Sequence, residues 1–266
     1  MMDTKTFSFS LLTDTGCHGA FPKTEAEMRI PSIRGQLRRW HTILWGEEDM
    51  KKCWGAVVNS TAHASKVVLR LRPASGSTAA STKTSHILPH SNDPRKKQST
   101  MPILSAGASY CIEVRYRLLG PDAETVRDHV EKTIRCWLLL GTIGQRGTRA
   151  FGSVWPREEA PASLDQYRQE LDRLLSGKYA YRISSKQITG MGDALMKFCT
   201  DTLSGQENEK YFGSINPRRT SPLKMKYIKI GGMYYLVLHA KRRETIDGAL
   251  KALTEANKPK PLLQYF

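Results

Sequence analysis

The stretch Gly141-Thr-Ile-Gly-Gln-Arg-Gly-Thr-Arg-Ala-Phe-Gly152 follows a long helical pattern and sets Gly141, Gly144, Gly147 and Gly152 around Arg146 and Arg149. Glycine accepts positive φ and carries no Cβ, so such a run bends tightly and lets backbone N–H groups come close to another group. With two arginines beside it, that group reads as an anion, a phosphate above all, held by charge-assisted hydrogen bonds. No Gly-Lys-Ser/Thr closes the stretch and no G-x-G-x-x-G spacing runs through it, which sets aside a nucleotide P-loop and a dinucleotide turn. Taken alone, a glycine cluster in this place is more commonly a helix cap followed by a turn.

The flanks decide between those readings. Upstream, Pro121-Asp122 opens a helix whose Val126, Val130, Ile134, Trp137 and Leu138 share one face. Downstream, Phe151 to Trp155 reads as a short strand. Residues 66–72 and 109–118 are strands with β-branched or aromatic residues on one side and arginines on the other, expected to pair. Residues 5–12 alternate around Phe7, Phe9 and Leu11 as an opening strand. Ser32 reads as the cap of a helix with Ile33, Leu37, Trp40 and Leu44 on its apolar face. Arg34, Arg38 and then His41 or Thr42 form a neighbouring stripe, Arg39 projects elsewhere, and Gly35 in the first turn suggests a close approach by backbone or phosphate. The order is strand, helix, strand, long insertion, strand, helix, loop, strand. It predicts an α+β chain with a ferredoxin-like antiparallel sheet and helices on one face, over residues 1–158, rather than a parallel Rossmann sheet.

Residues 73–103, rich in Ser, Thr and Ala and then in Asp-Pro-Arg-Lys-Lys-Gln, lack a hydrophobic period and read as a long exposed insertion loop. A proline-bearing linker at 156–162 starts a smaller C-terminal α/β half, residues 159–266. It holds a helix from Leu164 to Leu175, a second at 190–204, and a hairpin of 223–230 and 233–238 around Gly231-Gly232. A closing helix spans 243–256. Lysines 224, 226 and 229 interrupt the first hairpin strand.

Composition narrows the partner. The 41 Lys+Arg against 25 Asp+Glu leave a net charge of +16 with no single basic tail to account for it, so a polyanion is expected. There is no run of 18 apolar residues and no lysine-faced terminal amphipathic helix, so nucleic acid is preferred to a membrane. Cysteines 17, 53, 111, 136 and 199 form an odd set without C-x-x-C, which reads as free thiols in a reducing compartment, and a cytoplasmic location is expected. Glu47, Glu48 and Asp49 read as the frayed end of the first long helix, with no second acidic cluster to complete a metal site. His86 and His90, with Pro89 between them, read as loop residues.

Three blocks together resemble one family. Arg29-Ile-Pro-Ser-Ile-Arg-Gly-Gln-Leu-Arg-Arg-Trp40, Arg149-Ala-Phe-Gly-Ser-Val154 and Arg219-Thr-Ser-Pro-Leu-Lys-Met225 look like recurring blocks of the RAMP superfamily of CRISPR proteins, nearest to the first subunit of the type III-B Cmr RNA-guided effector. The likeness spans most of residues 5–240, though this chain is shorter than most such subunits and carries the Ser/Thr-rich insertion. The resemblance implies an RNA-recognition-type sheet and an RNA-binding role in antiviral defence. The expected partners are guide CRISPR RNA, target RNA and other RAMP subunits, with no membrane and no cofactor. The candidate RNA-contacting residues are Arg29, Arg34, Arg38, Arg39, Gly144, Arg146, Gly147, Arg149, Arg218 and Arg219. Such a binder needs arginines, lysines and N–H groups rather than a catalytic set, and no catalytic or metal-ligand motif is found. The runner-up is a RAMP-type endoribonuclease processing guide RNA or cutting target RNA. In that case Asp14 and His18, in the polar loop after the first strand, would be the catalytic candidates.

Overall fold

The computed structural model describes residues 4–74, 83–85, 101–117, 120–189, 207–214, 216–256 and 260–266. The first sheet is built on β1 (Thr4–Leu11), whose buried Phe9 and Leu11 alternate with more exposed positions. Next come α1 (Ile30–Trp45), α2 (Glu47–Trp54), the small hairpin β2 (Ala56–Val58) and β3 (Thr61–His63), and β4 (Val67–Pro73). The pair β5 (Lys83–Ser85) and β6 (Met101–Ile103) precedes β7 (Ser109–Tyr116), and α3 (Ala123–Leu140) and β8 (Val154–Pro156) complete this half. The sheet runs β4-β7-β1-β8 with every neighbour antiparallel. Phe9 lies opposite Tyr110, Leu11 opposite Val154 and Leu69 opposite Val114. Counting β1, β4, β7 and β8 as first to fourth, the order is 4-1-3-2 with a helix after the first and third strands. That is the ferredoxin-like arrangement expected from the sequence.

The helices α1 and α3 lie against each other over this sheet. Ile33, Leu37, Trp40 and Leu44 of α1 and Val126, Val130, Ile134 and Trp137 of α3 are buried, and Trp137 meets Phe9 edge-on at 5.3 Å. Two local expectations are corrected. The first helix starts at Ile30, with Pro31 in its first turn, where a missing N–H is tolerated; Ser32 therefore lies inside the helix, its hydroxyl facing the Cys17 thiol at 3.8 Å. The acidic run is not a frayed end. Gly46, at φ 90°, turns the chain and Glu47, Glu48 and Asp49 form the first turn of α2, where the helix dipole favours negative charge.

The second half contains α4 (Leu164–Leu175), β9 (Ala180–Ile183), α5 (Glu209–Phe212), β10 (Lys224–Ile230), β11 (Met233–Ala240) and α6 (Arg243–Thr254). Its sheet runs β10-β11-β9, antiparallel throughout. With β9 counted first, this is the same 2-3-1 order that β4, β7 and β1 adopt in the larger sheet. Gly231 and Gly232 have φ of 56° and 84°, the paired positive values of a primed hairpin turn. Beyond β9 the Ser185 N–H donates to the Tyr265 carbonyl, which brings the C-terminal 3₁₀ turn Pro261–Tyr265 alongside. The helix expected at 190–204, His86, His90 and most of the insertion lie outside the described residues.

One continuous apolar cluster runs through both halves. Arg135 of α3 grips the Glu170 carboxylate of α4 with two N–H groups, and the buried Tyr167 hydroxyl donates to the Leu139 carbonyl at 2.9 Å. Lys226, in the middle of β10, is 0 % exposed; its Nζ donates to the carbonyls of Leu138 at 2.7 Å and Gly141 at 2.9 Å. A lysine of the second sheet thereby supplies partners to the terminal carbonyls of α3, which no further helical turn could satisfy.

Candidate nucleic-acid interface

The glycine loop is packed tightly against the loop that leaves β1. Gly144 sits at φ 83°, and a Cβ there would lie 2.7 Å from the Gly16 carbonyl oxygen. The next residue's N–H, Gln145, donates to that oxygen at 2.8 Å, and Gly152 N–H donates to the Asp14 carbonyl at 3.1 Å. Within the loop Ile143 N–H reaches the Gly152 carbonyl at 2.8 Å, and Thr13 Oγ1 donates to the Ala150 carbonyl at 2.8 Å. The close approach inferred from the glycines is thus made by the protein's own backbone. Arg146 and Ala150 both adopt left-handed conformations, φ 54° and 67°, at a cost on the order of 1 kcal/mol each. The surrounding hydrogen bonds and packing hold the loop in that shape.

The arginines separate into two groups. Arg34 is bound inward: its guanidinium donates to the carbonyl of Trp54, to Ser65 Oγ and to the Val67 carbonyl, and lies 5.9 Å from the Trp54 ring centroid. Arg38 donates to the Gly55 carbonyl at 2.7 Å. These two side chains therefore fasten α1 to the segment that leads from α2 into β4. Arg29 is half-exposed and only loosely paired with Glu27, at 3.8 Å, and Arg146 is partly exposed at the tip of the glycine loop. Gly35 is exposed, with open space where a Cβ would stand. Arg218 and Arg219 are exposed on the turn before β10, Arg219 lying 3.7 Å from Glu209. They flank a cleft lined by Glu209, Lys210, Asn216, Pro217, Thr220 and Pro222.

All three blocks contribute to one junction. Arg149, only 7 % exposed, donates to Ser221 Oγ at 3.2 Å and lies 5.9 Å from the Phe212 ring centroid. Lys224 Nζ reaches the carbonyl of the same Ser221 at 3.3 Å. Arg39 donates to the Tyr179 hydroxyl at 3.3 Å, and that hydroxyl also meets His239 Nδ1 at 3.3 Å. Burial lowers the Lys224 ammonium to about 8, and the charges acting on it, Arg39 and Arg149, push it the same way. Behind it His239 is held neutral, well below its usual value, by burial first and then by Arg39, Lys224 and Lys226. The result is a half-buried cluster of like charge at the seam of the two sheets, built by α1, the glycine loop and β10. Lys224 was not among the residues singled out as a site. Its sequence signal was a lysine in a strand of otherwise apolar alternation.

The runner-up catalytic residues are each tied to backbone. Asp14 Oδ1 accepts the Ala106 N–H at 2.9 Å, and His18 Nε2 lies 2.8 Å from the Pro102 carbonyl. The acidic run of α2 divides: Glu47 and Glu48 pair with Lys51, while Asp49 turns inward to His41 and His129. Among the described residues no helix is long and apolar enough to cross a membrane.

No family model matches the sequence, and no curated protein matches it. Solved structures do share its fold. Cmr1 from Pyrococcus furiosus, in its apo form, is 15 % identical with a TM-score of 0.60, over 90 % of this chain and 88 % of that one. A chain of the type III-B Cmr-beta complex bound to cognate target RNA is 11 % identical with a TM-score of 0.59, covering 95 % of this chain and 99 % of its own. A second state of that complex, with AMPPnP and in the presence of ssDNA, gives 0.60 at 11 % identity over 95 % and 98 %. The chain thus has the fold of Cmr1, which its sequence blocks resemble.

Proposed function

We propose that this chain is an RNA-binding subunit of a CRISPR RNA-guided effector complex, contacting guide RNA and its target, and that it does not itself cut RNA. The observation that carries the reading is the convergence of the three blocks on Arg39, Arg149 and Lys224. Arg39 and Arg149 both act on Lys224 with like charge, and no carboxylate of the described residues is among the charges acting on it, so a phosphate placed there would turn that repulsion into attraction. Arg29, Arg146, Arg218 and Arg219 carry more exposed charge on the segment before α1, the glycine loop and the turn before β10. Chain-length similarity in fold to a subunit of a complex bound to target RNA supports the same reading. RNA in such assemblies is held through backbone and shape while base pairing reads sequence, which is the work arginine and lysine do. The two residues that would serve cleavage, Asp14 and His18, are engaged by backbone groups instead.

The test is to express the chain in cells that carry a type III system, recover it and sequence the RNA that comes with it. Guide RNAs bearing a repeat-derived end are the expected cargo. The same material, incubated with guide and target RNA with and without Mg²⁺ or Mn²⁺, is expected to leave both intact. Random cellular RNA as the only cargo would refute the effector assignment, and cleavage lost in Asp14→Ala or His18→Ala would replace it with the nuclease.

A further inference from the structure

The helices α1, α2 and α3 meet at a group of side chains that the RNA-binding reading does not use. His41 Nε2 of α1 and His129 Nδ1 of α3 each lie 2.8 Å from the same oxygen, Oδ2 of Asp49 on α2. Cys53 Sγ, one turn along α2, is 3.7 Å from that oxygen. The donor atoms of His41, Asp49 and Cys53 all fall within 4.8 Å of one another. His41 and Cys53 are fully buried, while Asp49 and His129 each keep about a fifth of their side-chain surface. His129 is fixed in orientation by stacking on Trp45 at 3.8 Å and 5°.

Counting hydrogens around Thr133 shows what this group lacks. The Thr133 hydroxyl donates its one proton to the His129 carbonyl at 2.7 Å and accepts from Trp45 Nε1 at 3.3 Å. It can therefore offer only a lone pair to His41 Nδ1, 3.0 Å away, so Nδ1 carries the hydrogen. In a neutral imidazole the other nitrogen, Nε2, is then a lone pair pointing at a carboxylate oxygen. Two acceptors at 2.8 Å repel unless something positive sits between them, either a second ring proton, which makes His41 an imidazolium paired with Asp49, or a metal cation, which the thiol and the second imidazole beside the same oxygen also suit.

We propose that this something is a divalent transition metal, Zn²⁺ above all, held by His41 Nε2, His129 Nδ1, Asp49 Oδ2 and Cys53 Sγ. Two imidazoles, a carboxylate and a thiolate are ligands that zinc accepts in tetrahedral geometry, and four protein ligands make the site structural rather than catalytic. Thr133 would be the outer partner that fixes the ligating tautomer of His41, as second-shell acceptors commonly do. Tetrahedral bonds of about 2.0–2.1 Å put neighbouring N and O ligands about 3.3 Å apart. Binding therefore opens the two N–O separations by roughly half an ångström and draws His129, which lies outside the set of donors within 4.8 Å of one another, toward His41 and Cys53; Asp49 and His129, the two partly exposed ligands, are the ones that move. Cys53 releases its thiol proton to solvent as it binds. The metal would tie α1, α2 and α3 together beneath the arginine-bearing helix.

The test is carried out on the full chain without an affinity tag, and its readout does not depend on RNA. Protein from zinc-supplemented cells is expected to hold about one equivalent of zinc by mass spectrometry, and chelation should lower its Tm. Adding Co²⁺ to the chelated chain should give the visible bands of a tetrahedral site together with a thiolate-to-cobalt band in the near ultraviolet. Cys53→Ser should lose the near-ultraviolet band, His129→Ala should lose most metal, and Arg146→Ala should change neither. A folded parent that retains no zinc and gives no tetrahedral cobalt spectrum overturns the proposal and leaves a carboxylate hydrogen-bonded between two histidines. Undiminished metal in both ligand variants overturns it as well. Zinc bound without RNA binding would leave this site standing and remove the function proposed above.

Discussion

Lys224 gives the proposed interface a pH signature that a merely basic surface would lack. Its ammonium is lowered from an ordinary value of 10.5 to about 8 by burial and by Arg39 and Arg149. A phosphate in the cluster favours the charged amine, so the bound form binds its proton more tightly than the free one. With the free group titrating near 8, the share of chain ready to bind without taking up a proton falls about tenfold between pH 7 and pH 9, and affinity falls with it. Arginines do not titrate here, and Lys226 and His239 lie deeper, both already held toward their neutral forms by burial. Folding responds with the opposite sign. Between pH 8 and 10.5 the unfolded chain binds a proton that the folded chain does not, so this lysine makes stability rise with pH while RNA affinity falls.

The assay is fluorescence anisotropy with a short 2′-O-methyl RNA, which survives alkali, at constant salt from pH 7 to 9. Lys224→Gln removes the titrating group while keeping a polar side chain of similar length. It should bind more weakly at pH 7, by a salt slope shallower by about 0.7, and show a much flatter pH profile. A parent whose affinity is unchanged from pH 7 to 9 refutes the placement of phosphate at this cluster. So does a Lys224→Gln variant that keeps the parent's full slope.

The two loop arginines should part company. Arg149→Ala, which empties a buried side chain from the seam, is expected to cost about 2–4 kcal/mol in urea unfolding, whereas Arg146→Ala should stay within about 0.5 kcal/mol and instead reduce the RNA salt slope by about 0.7. Glycine substitutions should differ just as sharply. At Gly152, φ 64°, an alanine Cβ would overlap the Ile143 carbonyl, so Gly152→Ala should lower stability by several kcal/mol or prevent folding; Gly35→Ala, with open space at its Cβ, should raise it by about 0.5–1 kcal/mol. His239 is buried neutral, its Nε2 without a hydrogen-bond partner among the described residues. Its folded value lies below the unfolded one, so stability is complete above about 6.5 and declines below it by up to about 1.4 kcal/mol per pH unit. Urea titrations between pH 7 and 5 should show a shallower decline for His239→Gln.

The larger sheet was legible because its strands and helices carry one-sided patterns: Phe7, Phe9 and Leu11 at a period of two, and Ile33, Leu37, Trp40 and Leu44 at helical spacing. The hairpin at Gly231-Gly232 was legible from its turn chemistry. The start of α1 was misplaced because Ser32 is a good cap residue, while the influence of Pro31 on the first turn is a backbone effect that side-chain preference does not carry. The break at Gly46 was missed because acidic residues suit either end of a charged stretch until the backbone shows a helix beginning there. The arginines posed a different difficulty. Arg34 and Arg38 look like a basic face by spacing, yet their acceptors are carbonyls and a serine hydroxyl from residues 54 to 67, beyond the end of their own helix. Local pattern says which side of a helix a side chain leaves from; it does not say whether a carbonyl from another element waits there. The same holds for His41 and His129, which are 88 positions apart and are brought together on the Asp49 carboxylate.

The position of the cationic cluster links binding to the integrity of the seam. Arg39 and Arg149 come from the first half of the chain, Lys224, Tyr179 and His239 from the second, so the cluster exists only while the two sheets are docked. Repulsion among its charges works against that docking. Opposing it are the Lys226 amine on the end of α3, the Arg135 grip on Glu170 and the Tyr167 bond to Leu139, all on the same seam. A protein selected for stability alone would gain by replacing Lys224 with an apolar residue, because burying an amine under the influence of two guanidiniums costs free energy that its bond to the Ser221 carbonyl offsets only in part, as its lowered value shows. A phosphate returns it. On the proposed reading RNA therefore stabilises the seam as it binds, through the very charges that weaken the seam in its absence.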